Sequence, residues 1–440
     1  MGNLKLSESG ALHGLACFLT LNIGYWLGLF GSITLYRAFF HRLRSFPGPP
    51  LAKISALWSV GRNLKTDFNF HGPREISINN ADAVRDIHGP GTVCNKGPWY
   101  DNTYPARLLQ TTRDKVWHAQ RRRVWDRGFA TKAIGQYMPR IRENCENLIS
   151  QLKKRAGTPV NASLWMSYFG FDVMGDLTFR KSFNMLKEGA NAPILDRYVK
   201  SFGVGRCAPW IFLLLNNLPI ISRTRQGFID WSIAQVRERR ALGQSRIDLF
   251  TYILGDGAEE TKTKLVQEEL DALVNQCGGG QPSYQMLSEA PLLNGCINEA
   301  LRLYPPVQGG VQRLTPPNGA MIAGRFIPGD TIISTPTYSL HRDPRSFPNP
   351  NAFIPTRWTP SSNLTTRKEA FNPFMIGSFS CVGKPLAWLE LRMAVSELLL
   401  TFNFRFSEEK STEEIETLFD GLPDYFTAHA PDLELVFEVR

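Results

Sequence analysis

Residues Phe374 to Met393 read FMIGSFSCVGKPLAWLELRM, a glycine turn and a cysteine followed at once by a long apolar run. Gly377 permits a tight turn, because a residue without a Cβ enters the left-handed backbone region freely. Cys381 stands just ahead of the apolar run, which has the length of a helix. The dipole and free amides at a helix N-terminus favour a thiolate there. A lone cysteine is most often a core residue, so its meaning depends on what accompanies it.

Upstream lies NEALRLYPP, Asn298 to Pro306, in which Glu299 and Arg302 fall three residues apart on one helix face and can pair. FIPTRW, Phe353 to Trp358, follows, and GGVQRLTPPNG carries Arg313 between the two. Far upstream is HAQRRRVWDRGF, His118 to Phe129, rich in guanidinium groups whose planar fork suits carboxylates.

In this order and company the segments resemble the cytochrome P450 family. Phe374, Gly377, Cys381 and Gly383 match the haem-thiolate signature FxxGxRxCxG, Glu299 and Arg302 match the ExxR helix, and Arg357 matches the arginine that completes a buried network with that pair. Counting back from Phe129 selects His118 and Arg122 as the groups that reach a haem propionate. Trp117 and Arg121 give the same spacing one residue earlier, and Arg313 matches a further arginine near a propionate. FDVMGDLTF, Phe171 to Phe179, resembles fungal members.

The resemblance implies a mainly α fold with small β-sheets and haem b held through Cys381, with Gly383 letting the following helix lie close to the macrocycle. A thiolate ligand pushes electron density toward the iron and favours O–O cleavage. The implied activity is a monooxygenase placing one oxygen atom of O2 in an apolar small organic substrate. Its electrons would come from NADPH-cytochrome P450 reductase docking on a basic proximal face.

Composition agrees. The 440 residues are 43% hydrophobic and 11% aromatic, enough for a large core. The net charge of +10 comes from scattered residues without a basic run and stacking aromatics, which points to a membrane or an acidic protein surface and away from nucleic acid. The seven cysteines include no CxxC pair and no zinc-like cluster, as expected of reduced thiols in a cytosol-facing domain.

Ala11 to Tyr36 holds no Asp, Glu, Lys or Arg and is followed by Arg37, Arg42 and Arg44. A single-pass signal anchor over residues 1–45 is expected, with the haem domain, 46–440, facing the cytosol from the endoplasmic reticulum membrane. FPGPP, Phe46 to Pro50, is a stiff linker. CAPWIFLLLNNLPIIS, Cys207 to Ser222, is too short to span; it either dips into the membrane interface or packs in the core.

Helical periodicity covers Lys115 to Gly128, Gln136 to Arg155, Trp165 to Leu177, Ile229 to Leu242, Leu265 to Gln276, Ala290 to Tyr304 and Pro385 to Phe402. Strand patterns cover Ala320 to Tyr338 and Asp432 to Val439.

Four departures from the family stand out. No AGxDT-like central helix precedes the ExxR segment, so the acid and alcohol that deliver protons are not found. GAEET, Gly257 to Thr261, echoes that motif without a buried helix around it. The chain is thus short near 256–265, and again near 68–80, within FNFHGPREISINN. Phe379 occupies the position of the signature's basic residue, and Thr356 that of the acid before Arg357. The missing helix leaves two alternatives open: an inactive or truncated haem-binding chain, and an enzyme that rearranges peroxides.

Overall fold

The computed structural model describes residues 8–58, 72–103, 107–179, 181–190, 230, 260–408, 427–428 and 431–440. The helix expected at Ile229 to Leu242, apart from Asp230, the apolar stretch Cys207 to Ser222 and most of GAEET lie outside them.

Helix α1, Glu8–Phe39, carries the apolar N-terminal run, and its window His13–Phe39 is long and apolar enough to cross a membrane, with none of it buried against protein. Helix α2, Ala81–His88, starts where the Asn80 side chain accepts the Asp82 amide, and helix α3, Lys115–Gly128, where Asp114 accepts those of Val116 and Trp117. Helix α4, Thr131–Lys153, begins five residues before the expected Gln136, and α5, Ala162–Met174, three before Trp165. Helices α6, Glu260–Gln276, and α7, Pro291–Leu303, precede α8, Lys384–Thr401.

Helix α8 is the hub. Its apolar residues surround it, the pattern of a helix buried on all sides. Leu386, Leu389 and Met393 pack with the α4 stripe Ile134, Tyr137, Ile141, Cys145, Leu148 and Leu152 and with Trp165 and Phe169 of α5. Leu391 and Leu399 join a second core with Val266 and Leu270 of α6 and Leu293, Ile297 and Leu301 of α7. Val266 and Leu270 of α6 thus lie against the hub helix. In FDVMGDLTF the buried Asp172 accepts the Met185 and Leu186 amides at 3.1 and 2.8 Å, a structural duty that the motif's pattern did not disclose.

Strands β1, Glu75–Ser77, and β2, Asn95–Lys96, belong to a four-stranded sheet; β3, Pro159–Asn161, belongs to another. The stretch read as strand from Ala320 to Tyr338 resolves into β5, Ala320–Ile322, β6, Arg325–Ile327, and β7, Ile332–Ser334, after β4, Arg313–Leu314. Tyr338 instead lies in a short helix, Thr337–His341, because Pro336 ends the strand and starts the next turn. The first sheet has the order β1-β7-β4-β2, with β1 parallel to β7 and the other pairs antiparallel. Thus Glu75–Ser77, within the stretch expected to be short, delivers one strand to the sheet. Strands β8, Phe402–Phe406, and β9, Glu434–Val439, complete a three-stranded sheet with β3 beside the first core.

Candidate functional site

The Cys381 loop is set by two residues in left-handed conformation, Met375 (φ 59°) and Gly377 (φ 72°). Glycine at 377 also answers to close approach: a Cβ there would stand 2.1 Å from the His88 carbonyl oxygen. The Cys381 amide donates to the Phe374 carbonyl at 2.8 Å, closing the loop just before α8, while the Phe374 ring packs on the second core. Gly383 is the N-cap of α8.

The side chain of Cys381 is open to solvent, whereas Cys94 and Cys145 are buried. Protein atoms still crowd its sulfur. Desolvation pushes the thiol above its ordinary value, against the pull of the Gly383 and Lys384 amides and of Arg122. Among the described residues no group of three or more His, Cys, Asp and Glu could hold a metal ion.

Behind the loop lies a fully buried ionic network. Arg302 donates to Glu299 through Nε at 2.9 Å and Nη2 at 2.7 Å, and Arg357 Nε donates to the same carboxylate at 3.1 Å. All three side chains have no exposed surface. Further guanidinium hydrogens go to carbonyls: Arg302 to His341, Pro350 and Ala352, and Arg357 to Pro348, Leu364 and Asn349. Thr356 is exposed and takes no part, so the acid it replaces is not needed for closure.

Two further members belong to the network and have no signal in the sequence. Trp358 Nε1 donates to Glu299 at 2.9 Å, and His341 bridges the Arg302 carbonyl to the Asn372 amide near the cysteine loop. Trp358 stood within the quoted segment, but neither spacing nor composition marks an indole as a partner.

Burial pushes His341 down to about 3, drives His88 well below its ordinary value and, with Lys96, Arg122 and Arg313 nearby, holds His118 down to about 4. The unfolded chain protonates each near 6.5, so it takes up more protons than the folded one below that pH. Stability is therefore fully present above about 6.5 and lost as pH falls. Urea titrations of the apoprotein from pH 6.5 to 5 are expected to show a falling midpoint, with His341→Asn removing roughly 1.4 kcal/mol per pH unit of that slope. An unchanged slope in the variant would refute the assignment.

On the other side of the loop lies a wall of cations. The antiparallel register of β2 and β4 sets Lys96 directly across from Arg313, both buried. Like charges so placed repel. Lys96 is pushed down to about 7, by burial first and by Arg313 second. Among the described residues its Nζ donates to the carbonyls of Leu109 and Gln110, at 3.1 and 2.7 Å, and lies 5.4 Å from the Tyr100 ring, while Arg313 Nη1 donates to that of Gln312 at 3.0 Å and Arg313 Nε has no hydrogen-bond partner. Unneutralised buried cations call for an anion.

Helix α3 completes the wall. His118 is buried and meets the Phe379 ring edge-on, and Arg122 donates to the Ser380 carbonyl at 2.6 Å and pairs with Asp126 at 2.7 Å. Arg121, which is exposed, lies over the Trp117 ring at 5.4 Å. Of the two pairs, His118 and Arg122 are the one in contact with the loop, at Phe379 and Ser380. Lys96 was not legible in the sequence, since only strand register brings it to Arg313. A planar group with two carboxylates and one open metal position, haem, fits this donor set: Cys381 for the metal, Lys96, His118, Arg122 and Arg313 for the carboxylates.

A cysteine at a helix start, a buried Glu–Arg–Arg network and buried cations beside the loop fit a haem-thiolate protein. Comparison with known proteins agrees. The sequence model for cytochrome P450 matches residues 76–237 and 259–424. Cytochrome P450 monooxygenase FCK2 of Fusarium pseudograminearum is 35% identical, with 94% of this chain and 85% of that one aligned. Tryprostatin B 6-hydroxylase of Aspergillus fumigatus is 34% identical over 87% of this chain and 79% of its own. The crystal structure of the cytochrome P450DA heme domain superposes with a TM-score of 0.64 at 16% identity, covering 83% of this chain and 86% of that one, a likeness of fold.

The chain belongs to the cytochrome P450 family; its cofactor is haem and its general role that of a monooxygenase, an oxidoreductase. The alignment with the Fusarium relative runs over 473 positions, more than the 440 residues here, so that relative carries residues this chain lacks. The family match is itself interrupted between 237 and 259.

Proposed function

We propose that this chain is a membrane-anchored monooxygenase that places one oxygen atom of O2 into an apolar small organic substrate, using electrons from NADPH-cytochrome P450 reductase. The observation that carries this reading is the Cys381 loop, sprung from α8 and held between the Glu299 network and the cation wall. Bound there, haem supplies oxygen activation tuned by a thiolate ligand. In this proposal Cys381 holds the iron, and Lys96, His118, Arg122 and Arg313 seat the propionates. Phe374, Gly377 and Gly383 shape the loop, while Glu299, Arg302 and Arg357 lock it. Two relatives named tryprostatin B 6-hydroxylase support hydroxylation of a small organic molecule.

We assign residues 1–45 to the anchor and 46–440 to the haem domain, facing the cytosol from the endoplasmic reticulum membrane. Support comes from the anchor's exit: Arg42 donates to the Asp330 carbonyl at 3.1 Å and Arg325 stacks on Phe46 at 4.0 Å. These contacts set the β5–β6 hairpin, with exposed Met321 and Phe326, beside exposed Phe39 and Phe40. Apolar surface of that kind belongs in a lipid interface.

The interrupted family match favours one rival, peroxide rearrangement, which dispenses with the acid and alcohol of the central helix. Membranes containing the chain and a reductase are expected to form oxygenated product from a panel of apolar substrates only with NADPH and O2. Conversion of a lipid hydroperoxide without NADPH would establish the rival instead. Haem uptake with NADPH consumption and no product would mark an inactive chain.

A further inference from the structure

Phe379 stands two residues before Cys381, at the position where the family signature carries a basic residue. Its ring is the meeting point of three separate elements. Lys96 Nζ from β2 lies 4.7 Å from the ring centroid, Arg313 Cζ from β4 lies 5.1 Å away, and the His118 ring from α3 stands 4.7 Å away at 67°. The first two are the buried cations that face each other across the strand pair, and neither has an ion pair among the described residues.

Two like charges so placed move apart unless something between them is attractive to both. The negative face of an aromatic ring is such a group, since its quadrupole draws a cation without adding a charge. A basic side chain at 379 would add a further positive charge to the repulsion between Lys96 and Arg313. A leucine would fill similar space but remove the nearer of the two rings beside Lys96, leaving that of Tyr100 at 5.4 Å.

We propose that Phe379 is a positioning residue whose π face holds Lys96 and Arg313 side by side, so that a dicarboxylate cofactor meets a preset pair of cations. Phe379 thus serves the carboxylates through the cations it holds, where a basic residue would serve them directly. The inference rests on the haem assignment above.

Titration of purified apoprotein with haemin tests it, read as affinity with the apoprotein's thermal midpoint alongside. Phe379→Leu is expected to weaken haem binding roughly tenfold, and Phe379→Tyr, which keeps the π face, less than about twofold. Because the ring acts on Lys96, the loss from Phe379→Leu is expected to shrink severalfold in a Lys96→Met background. Phe379→Leu binding haem as tightly as the parent, or losing the same factor with and without Lys96, would overturn the proposal and leave the haem assignment standing. A parent chain that takes up no haem would overturn both.

Discussion

Replacing Glu299 with glutamine is expected to cost roughly 3–5 kcal/mol of folding stability, most of what a domain typically has. The carboxylate accepts from five donors: two on Arg302 and one each on Arg357, Trp358 and the Ile354 amide. The isosteric amide keeps the volume but loses the charge, and turns an NH2 group toward donors. Two guanidinium groups with no exposed surface are then left without their counterion. Breaking such a network from one side is far more destabilising than exchanging the whole set for apolar groups. Urea denaturation checks the expectation, with soluble yield as a coarse substitute if the variant does not fold. A midpoint equivalent to less than about 1 kcal/mol of loss would mean that the network is marginal to stability.

Cys381→Ser is expected to behave in the opposite manner, sparing the fold and removing the function. The side chain is open to solvent, and the loop's closing hydrogen bond uses the backbone amide to the Phe374 carbonyl, which serine retains. A stability change within about 0.5 kcal/mol is expected, as for other exposed positions. The reduced, carbon monoxide-treated protein should lose the Soret band of thiolate ligation altogether, and oxygenated product should fall by orders of magnitude. Cys145→Ser supplies the contrast, since its sulfur is buried in the first core: stability drops and the spectrum stays. If Cys381→Ser kept the thiolate band, another cysteine would have to be the ligand.

The elements that the sequence disclosed were those whose information is local. Helix α3 runs from Lys115 to Gly128, the bounds its periodicity gave, and α8 begins one residue before the expected Pro385. Capping and apolar spacing act over a turn or two, so neighbours in the chain carry the whole signal. Where tertiary contacts intervened the boundaries moved. Thr131 to Gly135 became helical beside buried Phe129 and Ile134 of the first core, and the strand stretch after Ala320 broke at Pro336.

By itself, then, the chain's order of residues determined that Cys381 stands at a helix start, that Glu299 and Arg302 share a face, and that Ala11 to Tyr36 carries no Asp, Glu, Lys or Arg, because each follows from spacing along one element. Folding alone decided the rest. Arg357 and Trp358 reach Glu299 from 58 and 59 residues away, His118 rather than Trp117 is turned inward, and Lys96 meets Arg313 around the Phe379 ring. No period in the sequence encodes the register of strands so far apart, and the pairing of β2 with β4 is what makes a signature with phenylalanine in place of a cation into a wall of cations.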